Sequence, residues 1–324
     1  MIDSNLARQR LVSQRILHTS FENPGDVVAW LGAIQAQDYL AALWAVGVRM
    51  NEATEAAIEK AIADRTIIRT YPLRGTLHFV AAADARWILD LLAPRIRANN
   101  AGRRRNFELD DLVLGRSKEV VVHALQGGNR LTRNALFRLL EKAHISTAGG
   151  RGLQITWWLA HEGLICFGLR QGKQQTFVLL DEWIPQSQML ERDEALAELA
   201  RRYFTSRGPA TLADFAWWSG LTVADAKSGI EMAQAHLVQE MIGDRAYYRS
   251  DSLPAFHDLS ESAALLPAYD EFTIAYADRS AFFDPQDARK LITENGIFRP
   301  TVVINGEMVG IWKRTFVKET LEIT

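Results

Sequence analysis

The chain has 324 residues, 48% of them hydrophobic, with 37 Lys and Arg against 39 Asp and Glu and a single cysteine, Cys166. That length and apolar content can bury a core in two or three folding units, and one thiol excludes a disulfide framework. A net charge of −2 and a pI near 6.4 speak against indiscriminate nucleic-acid binding, though a local basic groove is compatible with both.

The opening MIDSNLARQRL carries no apolar signal core. No run approaches the ~18 apolar residues of a membrane span, so no membrane association and a cytoplasmic location are expected, nucleoid-associated if the partner is DNA. In chain order, Asn23-Pro24-Gly25-Asp26 opens a helix with Val27, Val28, Leu31 and Ile34 on one face. Next comes Gln35-Ala36-Gln37. Two amides one residue apart point the same way only on extended backbone, because a helix turns them roughly 200° apart. Such a pair can hold one water or one phosphate oxygen. Asp38 is placed to cap the helix of the apolar run Tyr39 to Met50.

A further helix is marked by Ala57, Ile58, Ala61 and Ile62, and then residues 66–71 and 76–80 flank Pro72-Leu73-Arg74-Gly75 as strand, turn, strand. The densest basic cluster follows: Arg95, Arg97, Arg103, Arg104 and Arg105. Its plain reading is a solvated helix end, where positive charge is favourable anyway. After the helix stop Gly127-Gly128, Thr132 caps a helix from Arg133 to Ala143, a second helix runs from Gln154 to Glu162, and strands 164–169 and 176–180 enclose the polar loop Arg170 to Gln175, with Lys173 inside it. Helix, helix, strand, wing is the order of a winged helix. It recurs briefly: Thr211 caps Leu212 to Trp218, Thr222 caps Val223 to Ala235, and strands 237–242 and 246–249 turn at Gly243-Asp244.

The C-terminal part reads as strands at Leu265-Leu266-Pro267, at Phe272-Thr273-Ile274, and across Thr301 to Trp312 with an Asn305-Gly306 hairpin turn. The expected class is α+β: tandem winged-helix units followed by a small C-terminal barrel-like β domain. The boundaries are 1–116, 117–185, 186–252 and 253–324. No Gly-rich phosphate loop or zinc-type spacing occurs, and His161-Glu162-Gly163 lacks the second His of a zinc protease, so neither cofactor nor metal is expected.

Five motifs together carry a resemblance: Ile34-Gln35-Ala36-Gln37-Asp38, Arg74-Gly75-Thr76-Leu77-His78, Trp157-Trp158 with His161-Glu162-Gly163, Pro267-Ala268-Tyr269-Asp270-Glu271-Phe272 with Asp278-Arg279, and the hairpin from Asn305-Gly306 to Gly310-Ile311-Trp312. In this order they resemble the AlkZ-like winged-helix DNA glycosylases over nearly the whole chain. The resemblance implies tandem winged helices around a DNA-sized concavity and excision of N-alkylated (N7 or N3) purines by a monofunctional enzyme, with crosslink unhooking in some members. It also implies double-stranded DNA with alkylated bases as the partner of a monomeric enzyme. Gln35 and Gln37 match the catalytic Gln, apolar residue, Gln motif of one branch; a sister branch has Asp in the last place. Arg74 and His78 on the first wing, Arg103 to Arg105, Lys173 on the second wing, and Lys313 and Arg314 beside the last hairpin are DNA-contact candidates. The tryptophan doublets Trp157-Trp158 and Trp217-Trp218 read as core, and Tyr269 to Glu271 as a hinge or acidic lip. The competing reading from another class is a winged-helix regulator that binds DNA without catalysis; a protein-interaction scaffold is a third.

Overall fold

The structure, a computed structural model, describes residues 3–252, 261–317 and 320–324. Residues 253–260, with which the expected C-terminal domain opens, and the first two residues of the N-terminus lie outside them. The chain divides into two compact units, one built from residues 1–58 and 196–324 and the other from 59–195.

The first unit begins with α1 (Ser4–Ser13) and α2 (Pro24–Leu31). Gly32, at φ 70°, ends α2 earlier than the apolar pattern suggested. Ile34 therefore belongs to the short extended segment β1 (Ile34–Gln35) rather than to the helix. Helix α3 (Tyr39–Gly47) follows, and the Asp38 carboxylate accepts from Ala41 N at 3.1 Å as its cap. Helix α4 (Glu55–Ala63) carries the chain into the second unit.

That unit contains the hairpin β2 (Ile67–Leu73) and β3 (Thr76–Ala81), then α5 (Ala85–Asn99), α6 (Ala101–Asn106) and α7 (Asp111–Leu125). Next come β4 (Leu131–Thr132), α8 (Arg133–Lys142), α9 (Arg151–His161), β5 (Ile165–Gln171), β6 (Gln174–Leu179) and the turn of helix α10 (Leu180–Trp183). Its strands line up antiparallel in the order β3-β2-β5-β6-β4. Thr132 caps α8 through Ala135 N, as its position predicts. The core here is one cluster, with Leu136, Leu140, Ile155, Leu159, Phe167 and Phe177 buried together. Trp158 joins it and Trp157 packs against it, as core aromatics.

Helix α11 (Arg192–Arg207) returns the chain to the first unit, where α12 (Leu212–Ser219) and α13 (Val223–Ala233) precede the hairpin β7 (Leu237–Ile242) and β8 (Arg245–Ser250). Thr211 and Asp214 form a reciprocal capping box on α12, and Thr222 caps α13. The core stacks Tyr203, Phe204, Phe215 and Trp218 with ring centroids 5.1 to 5.5 Å apart. Trp217, the doublet's other member, is half exposed, its indole N–H donating to Ile274 O at 3.2 Å.

The C-terminal part differs from expectation in two respects. After β9 (Ala263–Leu266), residues Phe272 to Ile274 are helical rather than extended, forming α14 (Glu271–Ile274). The cause is local: the Asp270 side chain caps the turn through Phe272 N at 2.8 Å, which a period-2 reading of three apolar residues does not see. Past the short helix α15 (Ala288–Leu291), β10 (Thr301–Ile304), β11 (Glu307–Ile311), β12 (Arg314–Val317) and β13 (Thr320–Ile323) complete the chain. Among the described residues they make an open three-stranded sheet, β11-β10-β9, and a separate ribbon of β12 and β13. Among the described residues no closed barrel is found, three strands being too few to curl upon themselves. The Asn305-Gly306 turn is observed, with φ of 53° and 88° joining Ile304 directly to Glu307.

Candidate functional site

The Gln35-Ala36-Gln37 segment is extended at Gln35 and bends at Gln37. Ala36 is fully buried, Gln35 retains 9% exposure, and Gln37 is exposed. The Gln35 side chain turns along the backbone so that its Oε1 accepts from Gln37 N at 3.3 Å. A carbonyl oxygen has two lone pairs, so this bond fixes the amide and leaves acceptor capacity for a water. Asp38, capping α3, is exposed and bound to its own helix.

What holds this segment is a set of buried ions in the same unit. Gln35 N donates to Glu271 Oε1 at 3.0 Å. Glu271 Oε2 receives Arg207 Nη2 at 2.6 Å and Trp218 Nε1 at 2.9 Å. Arg207 also donates to Leu31 O at 2.7 Å and Ala33 O at 2.9 Å, so it closes the carbonyl end of α2 on both sides of Gly32. Next along the chain, Asp270 meets Arg49 in a bidentate pair at 2.9 Å for each bond, and Arg49 donates to Ala45 O in the last turn of α3 and to Gln14 O. All four charged side chains are 0% exposed. Asp270 and Glu271 are therefore buried anchors and not an acidic lip. Tyr269 before them has φ 59°, a left-handed conformation uncommon for a residue with a side chain, and its phenol is pushed above its ordinary pKa by burial and by the Asp38 carboxylate.

The cationic candidates separate into exposed and committed groups. Arg74, at φ 51°, and Gly75, at φ 74°, form the two-residue tip between β2 and β3. Trp157 Nε1 donates to Gly75 O at 3.1 Å and holds that tip from below. His78 is 0% exposed and its Nδ1–H donates to Thr76 O at 2.9 Å, so it shapes the hairpin from within and presents no surface to DNA. Arg103 and Arg105 are exposed on α6. Arg104 is tied down, its Nε on Leu109 O and its Nη2 on Asp111, both at 2.5 Å, with the guanidinium over the Trp158 ring. Lys173 is exposed at the β5–β6 turn. Lys313 is exposed, whereas Arg314 lies 5.5 Å from the ring of Trp44, on the helix that begins two residues after Gln37. Trp44 stacks on Trp312 at 5.0 Å and donates to Leu265 O. The first unit thus brings Arg314 to the helix that follows the glutamines.

Among the described residues no three His, Cys, Asp or Glu side chains gather as a metal could require, and no helix is long and apolar enough to cross a membrane. Cys166 is buried, and burial pushes its thiol far above the ordinary range.

A family model described as "DNA glycosylase AlkZ-like" matches residues 28–324, from within α2 to the last residue. The chain belongs to the AlkZ-like family of DNA glycosylases. A curated relative from Streptomyces sahachiroi, an interstrand DNA cross-link repair glycosylase, is 25% identical over 314 residues, covering 89% of this chain and 81% of that protein. The solved structure of the Streptomyces sahachiroi DNA glycosylase AlkZ shares the fold, with a TM-score of 0.83 at 21% identity, over 100% of this chain and 91% of that one. As a member of this family the protein is a DNA N-glycosylase, and the chemistry to account for is cleavage of a base from its sugar.

Arg207 and Arg49 carry no sequence signal as site residues, because one ends α11 and the other lies in the turn just after α3, where basic residues are ordinary. Glu271 did stand in a quoted motif. Only its burial shows that it faces inward.

Proposed function

We propose that this glycosylase hydrolyses the N-glycosidic bond of N7- or N3-alkylated purines in double-stranded DNA, with Gln35 and Gln37 placing the water. An N7-alkylated purine is cationic and departs as a neutral base, so no strong general acid is needed. The barrier lies in forming an oxocarbenium-like sugar and delivering water to one face of it. Glutamine is no base, yet it accepts from water through its carbonyl and donates through its amide. Two amides offer less stabilisation to the developing cation than a carboxylate, which suits activated lesions better than unmodified nucleotides.

The observation that carries the reading is the pinned strand end, where a fixed Gln35 amide sits two residues before an exposed Gln37 and immediately ahead of a capped helix. The relative's role in interstrand crosslink repair supports unhooking of N7-linked crosslinks as a further reaction of this enzyme. The succession of paired helices and hairpins supports tandem winged-helix units with boundaries at 1–116, 117–185 and 186–252, followed by the β-rich part. Arg74, Arg103, Arg105, Lys173, Lys313 and Arg314 provide the phosphate contacts, which orient the duplex without reading its sequence.

The test is release of free base from duplexes carrying N7-methylguanine or a bulky N7 adduct. Gln35→Ala and Gln37→Ala should each lose excision while still binding the duplex. Tight binding of undamaged DNA with no excision of any adduct by the wild type would leave a DNA-binding protein without catalysis.

A further inference from the structure

We infer that Glu271 and Arg207 are positioning residues for catalysis, acting through the backbone of Gln35; this rests on the assignment of Gln35 and Gln37 as the hydrolytic pair. Glu271 is a carboxylate one hydrogen bond from the reacting strand, where a glycosylase would gain from negative charge near the sugar. It cannot supply that charge directly. Its side chain is 0% exposed, and Arg207 lies against it at 2.6 Å, so the pair presents no net charge to the substrate.

What the pair supplies is register. The strand carrying Gln35 is only two residues long, and Gly32, at φ 70°, stands two residues before it begins. So short a strand has little ladder of its own to resist a slip, and a slip by one residue turns the amides to the opposite face. Arg207 and Glu271 bind three consecutive odd positions of this backbone: Leu31 O, Ala33 O and Gln35 N. Trp218 Nε1 and Arg207 Nε, the latter at 3.2 Å, fix the carboxylate plane, and Ser206 Oγ accepts from Arg207 Nη1 at 2.9 Å. The neighbouring Arg49–Asp270 pair fixes the far end of α3 by the same device. The two glutamines are thus carried between two buried ion pairs whose acids are adjacent in sequence.

The experiment compares single-turnover excision of N7-methylguanine, duplex affinity and thermal unfolding across variants. Glu271→Gln keeps the volume, but its amide nitrogen faces Arg207 or Gln35 N donor to donor. Arg207→Met with Glu271→Met replaces the ion pair by apolar groups of similar length, a change that buried pairs often tolerate. Both are expected to slow the chemical step on the order of 10²-fold with Kd for lesion DNA within about twofold of wild type, the size of loss that a displacement near 1 Å produces. A merely structural role would move unfolding and affinity together with rate. Either folded variant turning over at the wild-type rate, while Gln35→Ala and Gln37→Ala have lost excision, overturns the positioning role. Retained excision in the glutamine variants overturns the underlying assignment instead. Should both Glu271 variants fail to fold, hydrogen exchange on the unaltered protein decides: the Gln35 amide must exchange as slowly as the core helices of its unit, and exchange at the rate of an exposed loop overturns the inference.

Discussion

Lowering the pH from 7.5 to 4.5 should destabilise the 59–195 unit by about 2.5 kcal/mol through His161 alone. The ring is 2% exposed, with its centroid 3.8 Å from that of Trp157 and 5.6 Å from that of Tyr71. Its Nδ1–H donates to Trp157 O at 2.8 Å, and Nε2 is a buried lone pair with no hydrogen-bond partner. Burial, with a smaller contribution from the Arg97 charge, brings the folded-state pKa from 6.5 to about 4, against the opposing pull of the Trp157 carbonyl. The unfolded chain therefore binds the proton first as pH falls. Stability is full above about pH 6.5, declines by up to about 1.4 kcal/mol per pH unit below it, and levels off near pH 4. Urea unfolding of the wild type and of His161→Phe at several pH values from 7.5 to 4.5 isolates this contribution as a difference of slopes. Equal slopes in the two proteins between pH 6.5 and 4.5 would refute the reasoning.

Four further outcomes are expected. Removing Arg103 or Arg105 should weaken duplex binding and lower the salt dependence by about one phosphate contact each. Arg104→Ala should leave that slope unchanged and instead cost on the order of 1 kcal/mol of stability, because it deprives the part-buried Leu109 O of its donor, while the exposed Asp111 stays hydrated. A binding titration at several salt concentrations checks all three arginines. Gly75→Ala puts a Cβ 3.1 Å from the Trp157 ring at a φ of 74°, and should destabilise the first hairpin by about 1–2 kcal/mol in thermal unfolding. At Gly208 a Cβ would stand 2.4 Å from Phe204 O and 2.8 Å from Arg249 Cα, backbone atoms that cannot rotate aside. Gly208→Ala should therefore lower thermal stability by more than Gly75→Ala does, and a Tm equal to wild type would contradict this packing.

Much of the local structure was legible because it is encoded locally. Thr132, Thr211, Thr222 and Asp38 each cap the helix their position announces, since a short acceptor side chain satisfies free N–H groups wherever a helix starts. The Asn305-Gly306 turn reads the same way, from the positive φ it needs. Misreadings arise where a single adjacent residue outweighs the apolar pattern: Ile34 leaves its helix at Gly32, and Phe272 to Ile274 coil into a turn that Asp270 caps. Likewise His78 and Arg104 look like surface cations in a string of letters. His78 is in fact buried, and Arg104 lies against the Trp158 ring, which only folding brings beside it.

The sequence by itself determined the family, from motifs spread along the chain, and the caps and turns, which depend on residues within a few positions of one another. Tertiary structure alone decided that Glu271 and Arg207 reach across 236 and 174 residues to the backbone of Gln35 and Ala33. The reason is physical: an isolated charge costs far too much to bury, so an acid and a base remote in sequence are buried together, and the unmet acceptors and donors of a strand end complete their hydrogen bonding. Chain order holds no trace of that pairing.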